Sequence, residues 1–242
     1  MKEEVYWYTQ EKAQLSAPLK ERLEADAVVV GGGISGLSAA QWLSEAAGLD
    51  VVLLESRFCG AGASGKSSGF ITPDSELELS QLSTRFGDRD AVLLWRAALS
   101  GCEQIQRNVE QFHLDCDFLE ADSLFVANDE RSFSTIREEH EAHQRLGFPS
   151  ELYTGDTLPR VLGSKTYASG VRYGGTFAIN SFAYVQGLKS ALEKQGVRVF
   201  ENSPAVEVAP SDGAHARGQR ESPARARLHG QVRAGAADDG GG

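Results

Sequence analysis

Short apolar runs alternate along this chain with longer stretches of helical periodicity, and each predicts an element. Ala27–Val30 (AVVV) and Asp50–Leu54 (DVVLL) are β-branched or aliphatic with no polar face, which predicts strands buried on both faces. Leu37–Ala47 between them predicts a helix. From Leu77 to Leu114 the pattern is helical, with Trp95, Leu99, Cys102, Ile105, Val109 and Phe112 on one stripe and Asp88 as its expected N-cap. Phe118-Leu119 and Leu124–Ala127 flank the polar Glu120–Ser123, the pattern of a hairpin. A further helix is expected over Glu130–Leu146, with Phe133, Ile136 and His140 on one face. Tyr167–Tyr173 then reads as a strand and Gly174-Gly175 as a turn. Ser181–Gln195 is a helix turning Phe182, Val185, Leu188 and Leu192 inward, capped by Asn180 or Ser181 and ended by Gly196. Val197–Phe200 gives a following strand, and Glu201–Val208 (ENSPAVEV) begins another.

Composition narrows the class. At 242 residues, with 41% hydrophobic and 24% charged residues, the chain suits one large or two small globular domains. A net charge of −10 argues against nucleic acid as a partner. No apolar run approaches the roughly 20 residues of a membrane span, and MKEEVYWYTQEK lacks the apolar core of a signal peptide. Cys59, Cys102 and Cys116 are scattered, as expected of reduced thiols in a cytoplasmic protein. His140 and His143 are spaced to share a metal, but Glu138, Glu139 and Glu141 around them read as an ordinary solvated face, and no metal is expected. From Ser211 onward the composition shifts to Ala, Arg, Gly, Asp and Ser without an aromatic residue. Such a segment buries too little to offset the entropy of ordering it, so 211–242 is expected to be a disordered tail.

The chemistry lies in DAVVVGGGISGLSAAQWLSEAAGLDVVLLE. Gly31, Gly33 and Gly36 fall in G-x-G-x-x-G spacing between a strand and a helix, and the second strand ends in an acid, Glu55. That order is the dinucleotide fingerprint. Gly31 permits a tight turn, Gly33 a close backbone approach to a diphosphate, and Gly36 close packing of helix on sheet. The amides and positive end of the helix then face the phosphates, while Glu55 is placed for a ribose hydroxyl. Spacing alone does not separate FAD from NAD. After Glu55 comes SRFCGAGASGKSSGF, a loop rich in glycine and serine with Lys66 beside it. It must leave the C-terminal edge of the sheet, where ligands of such folds bind.

VVVGGGISGLSAA, VVLLES and GAGASGKSSGF together resemble the FAD-dependent oxidoreductases of the D-amino-acid oxidase and glycine oxidase type. With the Tyr6-Trp7 pair, they are most similar to the γ-glutamylputrescine oxidoreductase branch. That branch has Arg, Asn and Gly where this chain has Lys66, Ser67 and Ser68. The resemblance implies an α/β fold: a Rossmann-like FAD-binding domain of the glutathione-reductase βαβ type with part of an α+β substrate domain. The implied boundaries are an N-terminal arm at 1–24, an incomplete FAD domain at 25–80 and 175–210, and a partial substrate domain at 81–174. It implies that Gly31, Gly33, Ile34, Ser35 and Gly36 line the FAD diphosphate, and that Glu55, followed by Ser56 and Arg57, binds the adenosine ribose. Ala63, Ser64, Gly65, Lys66 and Ser67 would run past the diphosphate toward the flavin, and the backbone of Ala205 would touch adenine.

The implied reaction is oxidation of an amine or amino acid to an imine, with a hydride passing to flavin and electrons then to oxygen or another acceptor. It demands no side-chain acid or base, and no catalytic residue is singled out. An NAD-dependent dehydrogenase and a non-catalytic nucleotide-binding fragment stand as alternatives. Chains of this family continue well past Pro210, so a reading-frame shift leaving an N-terminal fragment, inactive or crippled in isolation, is one expectation. A short protein with a disordered tail is the other.

Overall fold

The computed structural model describes residues 5–74, 77–210 and 230–234. In chain order its elements begin with helix α1 (Tyr6–Gln10), strand β1 (Ala27–Val30), α2 (Ile34–Glu45), β2 (Val51–Leu54) and β3 (Phe70–Ile71). Next come α3 (Leu79–Phe86), α4 (Asp88–Phe112), β4 (Leu119–Glu120), β5 (Ser123–Ala127) and α5 (Phe133–Leu146). They are followed by β6 (Glu151–Thr154), α6 (Leu158–Leu162), β7 (Ser169–Tyr173) and β8 (Phe177–Ala178). The last are α7 (Ser181–Lys194), β9 (Arg198–Phe200), β10 (Ala205–Pro210) and β11 (Gly230–Ala234). The described residues of Met1–Ser68, Leu114–Cys116 and Asn180–Gly242 form one compact unit, and Gly69–His113 with Asp117–Ile179 forms a second.

The first unit is built on a parallel sheet in the order β1-β2-β9, with Ala27 opposite Val51 and Val52 opposite Arg198. All four residues of β2 are buried, as a central strand requires. β1 departs from the expectation of burial on both faces: Val28 and Val30 are exposed, the latter at 55%. The reason is position, because β1 is the edge strand among the described residues and its alternate side chains lie on an uncovered face. Helix α7 is capped as its sequence indicates, Asn180 Oδ1 accepting the Ala183 N–H at 3.1 Å. Phe182, Val185, Leu188 and Leu192 are buried, but so are Gln186 and Lys189.

Within the stretch expected to be disordered, Gly230–Ala234 pairs antiparallel with β10, Val208 opposite Val232. The expectation is corrected there because strand pairing satisfies main-chain donors and acceptors whatever the side chains. The rest of 211–242 lies outside the described residues.

The second unit holds two antiparallel sheets, β5-β7-β6 and β3-β8-β4. The expected hairpin between 118–119 and 124–127 does not form. β4 pairs with β8 and β5 with β7, each through a non-local ladder that the intervening polar residues do not reveal. The long helical pattern is broken at Gly87, whose φ of +80° ends α3; Asp88 is then the first residue of α4 rather than its cap. Its carboxylate instead takes up Ser83 and Arg145. The core centres on Trp95, packed with Leu79, Leu82, Ala91 and Tyr173.

Glu139 and His143, expected on a solvated face, are buried. His143 Nε2 lies 2.9 Å from Glu139 Oε1, and the Glu139 carboxylate accepts the Leu79 and Ser80 N–H groups that begin α3. Burial alone would raise the Glu139 pKa, but the adjacent His143 ring and the hydrogen bonding of Ser80 hold it below the ordinary value. His140, by contrast, pairs with the Ser150 hydroxyl at 2.9 Å.

Candidate functional site

β1 delivers the chain into a tight bend. Gly31 has φ +106°, a backbone conformation that glycine adopts without penalty, and its N–H donates to the Leu54 carbonyl at 2.8 Å. Helix α2 starts one turn later, so close that a Cβ on Gly36 would fall inside the Gly31 carbonyl oxygen. The helix thus lies directly on the bend, as close packing at this third glycine requires.

The N-terminus of α2 faces the same place. Gly33 is its N-cap residue with extended backbone and no side chain of its own to cap the helix, and the first turn carries no acid. The first amides of a helix have no partner within it, and the dipole leaves them attractive to an anion. The Ile34 N–H donates to Ser64 Oγ at 3.0 Å, and a Cβ on Gly33 would meet that same oxygen at 3.0 Å. Ser35 is exposed in this first turn.

At the end of β2, Glu55 turns its carboxylate into the bend. Oε2 accepts the Gly32 N–H at 2.7 Å, while Oε1 accepts the Arg57 N–H at 2.8 Å and the Ser56 hydroxyl at 3.0 Å. An ionised carboxylate offers about four lone-pair sites, so three donors leave it acceptor capacity for a further hydroxyl.

The glycine-rich loop closes over this floor. Gly60 N–H donates to the Gly32 carbonyl at 2.9 Å, and Gly65 packs so tightly on the Gly60 carbonyl that it admits no Cβ. Ser64–Lys66 forms a single 3-10 turn, in which Gly65 is buried while the neighbouring Ala63, Lys66 and Ser67 are exposed. Arg57 extends to the Ala61 carbonyl at 2.9 Å. On the far side, the Asn202 and Ser203 N–H groups bond the Arg57 and Glu55 carbonyls, each at 2.8 Å, which sets where β10 and Ala205 begin. The bend, Glu55–Arg57 and the loop from Cys59 to Ser67 therefore converge, with Ala205 two residues beyond the turn bonded to Glu55.

A buried ionic centre supports the loop from below. Glu201 Oε1 accepts the Cys59 N–H and Oε2 the Ser16 N–H, each at 2.6 Å, and Lys189 Nζ lies 2.9 Å from Oε2. Gln186 Nε2 donates to the Cys59 carbonyl at 2.7 Å. Cys59 itself is buried, and burial, reinforced by the Glu201 carboxylate beside it, pushes its thiol pKa well up. It stays a protonated thiol, unsuited to nucleophilic attack. Sequence reasoning missed Gln186, Lys189 and Glu201. One signal was present: Lys189 stands four residues after Val185 and three before Leu192, on the buried stripe of α7.

The donor set suits a dinucleotide, with main-chain amides and a helix terminus for the diphosphate and a carboxylate for a sugar hydroxyl. Comparison with known proteins agrees. The chain is 31% identical over 197 residues to probable oxidoreductase OrdL of Haemophilus influenzae, covering 81% of this chain and 46% of that protein. It is 30% identical over 191 residues to gamma-glutamylputrescine oxidoreductase of Escherichia coli, covering 78% of this chain and 44% of the relative. It therefore spans less than half the length of these relatives. Its fold matches glycine oxidase from Geobacillus kaustophilus with a TM-score of 0.66 at 17% identity, over 79% of this chain and 50% of that one. The family model described as FAD dependent oxidoreductase (DAO) matches residues 26–234, running past the composition break at Pro210. On that match, the chain belongs to the DAO family of FAD-dependent oxidoreductases.

Proposed function

We propose that this chain holds FAD by its adenosine and diphosphate half, within an enzyme that oxidises the C–N bond of an amine or amino acid. The observation that carries the reading is the Glu55 carboxylate, 2.7 Å from the Gly32 N–H inside a strand–bend–helix–strand unit of the DAO family. Gly33, Ser35 and Gly36 offer their amides to the diphosphate with the dipole of α2 behind them, while Gly31, its own N–H on the Leu54 carbonyl, makes the bend, and Ile34 lines it with its N–H on Ser64 Oγ. Glu55 accepts from the ribose, and Ser56 and Arg57 fix its orientation through their bonds to Oε1.

The loop from Ala63 to Ser67 continues from the diphosphate toward the ring, with Lys66 as a balancing positive charge. Ala205 borders the adenine through its main chain. FAD, when bound, supplies the electron acceptor for hydride removal from the carbon beside the substrate nitrogen. In such an enzyme the substrate would also give up a nitrogen-bound proton to solvent, leaving an imine that water hydrolyses, and oxygen or another acceptor would take the electrons. The protein's contribution is to orient the groups and exclude water.

Purified protein tests this. A visible flavin spectrum, or one-to-one binding of FAD in equilibrium dialysis that ADP competes away, is the expected result. A colourless protein that prefers NADH, or one that binds ADP and ignores FAD, overturns it.

A further inference from the structure

Residues 7–19 hold the loop that the proposed cofactor would follow. Trp7 Nε1 donates to the Ser67 carbonyl at 2.7 Å, and that oxygen also accepts the Ser181 hydroxyl at 3.1 Å. The Tyr8 hydroxyl donates to the Gly60 carbonyl at 2.7 Å. The Tyr8 ring lies edge-on to Phe58 and Phe182, with centroids 5.5 and 4.8 Å apart, and its burial raises the phenol pKa, so it remains a donor.

Beyond α1 the segment is bonded down at intervals. The Gln14 N–H donates to Gln186 Oε1 at 3.0 Å, and the Gln14 carbonyl accepts Lys189 Nζ. The Ser16 N–H meets Glu201, and the Leu19 N–H meets Ser203 Oγ at 2.8 Å. Gln186 and Glu201 are the same side chains that grip Cys59 from below. The loop is thus tied at both ends, and the arm completes each tie.

We propose that Tyr6–Leu19 is a strap, with Trp7 and Tyr8 as positioning residues that fix the Gly60–Ser67 loop for the flavin end of the cofactor. Its carbonyl targets explain the choice of residues. A trans peptide turns its N–H opposite to its C=O. Anchoring the Ser67 oxygen therefore fixes the direction of the Ser68 N–H, and anchoring the Gly60 oxygen fixes the surface on which Gly65 rests. Indole and phenol donors on a five-residue helix do this, and the Tyr8 ring also covers Phe58 and Phe182.

This inference rests on the FAD reading, and the experiment separates the two. In the full chain, Tyr8→Phe keeps its ring and Trp7→Phe keeps a smaller aromatic ring, and each removes one donor. Dissociation constants for FAD and for ADP, the visible circular dichroism of bound flavin, and amide hydrogen exchange without ligand are measured together. A strap predicts ADP affinity within about twofold of the parent, FAD affinity weakened about three- to tenfold, and an altered flavin dichroism band. It predicts exchange of the 60–67 amides accelerated about tenfold, with α7 amides unchanged. Unchanged exchange in both variants overturns the strap whether or not FAD binds. Accelerated exchange with FAD affinity and dichroism equal to the parent overturns the positioning role. A parent protein that binds ADP but not FAD defeats the cofactor reading, and the exchange result then decides the strap alone.

Discussion

Replacing Lys189 by methionine tests the buried centre beneath the loop. Lys189 is 2% exposed and Glu201 is fully buried, so this ion pair is not screened by solvent. The substitution leaves a carboxylate with two main-chain donors, Ser16 N–H and Cys59 N–H, and no compensating positive charge. Breaking one half of a buried pair costs about 3–5 kcal/mol, and the two surviving hydrogen bonds place this case near the lower figure. Methionine fills a similar volume, so little of the loss comes from a cavity.

Against a total stability of roughly 5–15 kcal/mol, the change is large. With a urea m-value of about 1–3 kcal/mol per molar, the midpoint falls by roughly 1–3 M. Urea denaturation followed by far-ultraviolet dichroism measures it. Adding Glu201→Gln to the same protein removes the stranded charge and recovers at least about 1 kcal/mol. A loss below about 1 kcal/mol for Lys189→Met at unchanged m, or a double variant worse than the sum, refutes the reasoning.

The second unit carries a pH signature. Burial, then the neighbouring Glu139 and Asp74 carboxylates, push the Glu78 pKa up to about 7. Between the ordinary carboxylate value and pH 7 the folded state binds more protons than the unfolded, so this group's stabilisation is complete at low pH and lost as pH rises through 7. Glu78→Gln flattens that fall in urea melts from pH 5 to 8; an unchanged slope contradicts it. Gly36→Ala forces a Cβ into the Gly31 carbonyl and is expected to cost upward of about 1–3 kcal/mol and abolish ADP binding, although alanine is the better helix former. ADP binding by this variant at parental affinity refutes the close-packed bend. Val30→Thr on the exposed side of β1 is expected to lower light scattering on heating with stability changed by less than about 1 kcal/mol.

The strand–bend–helix–strand unit was legible because its signals are local. A buried strand, a glycine that must turn and a glycine that must be small are each visible in a few consecutive residues, and Glu55 lies where the next strand ends. Gly87 was also a local signal, but a single glycine inside a helical pattern is tolerated and does not by itself mark a break. The partners of β4 and β5 are some fifty residues away, so the polar stretch between them imitates a hairpin turn. Glu139 and His143 read as surface residues because only tertiary packing buries them, although their i, i+4 spacing lets them meet; Lys189 lies on the buried stripe of α7, but its partner Glu201 stands beyond the helix, where spacing does not identify it. Trp7 and Tyr8 stood out as an aromatic pair, yet nothing local shows that their polar atoms reach carbonyls 60 and 52 positions away.

The most direct measurement of the central claim is an amide-resolved nuclear magnetic resonance titration of the full chain with ADP and then FAD. The account predicts that ADP shifts the amides of Gly31–Gly36 and Glu55–Arg57, and that FAD shifts those and adds Ala63–Ser67. Binding that leaves the Gly31–Gly36 amides unmoved, or saturating FAD with no shift in either region, contradicts it.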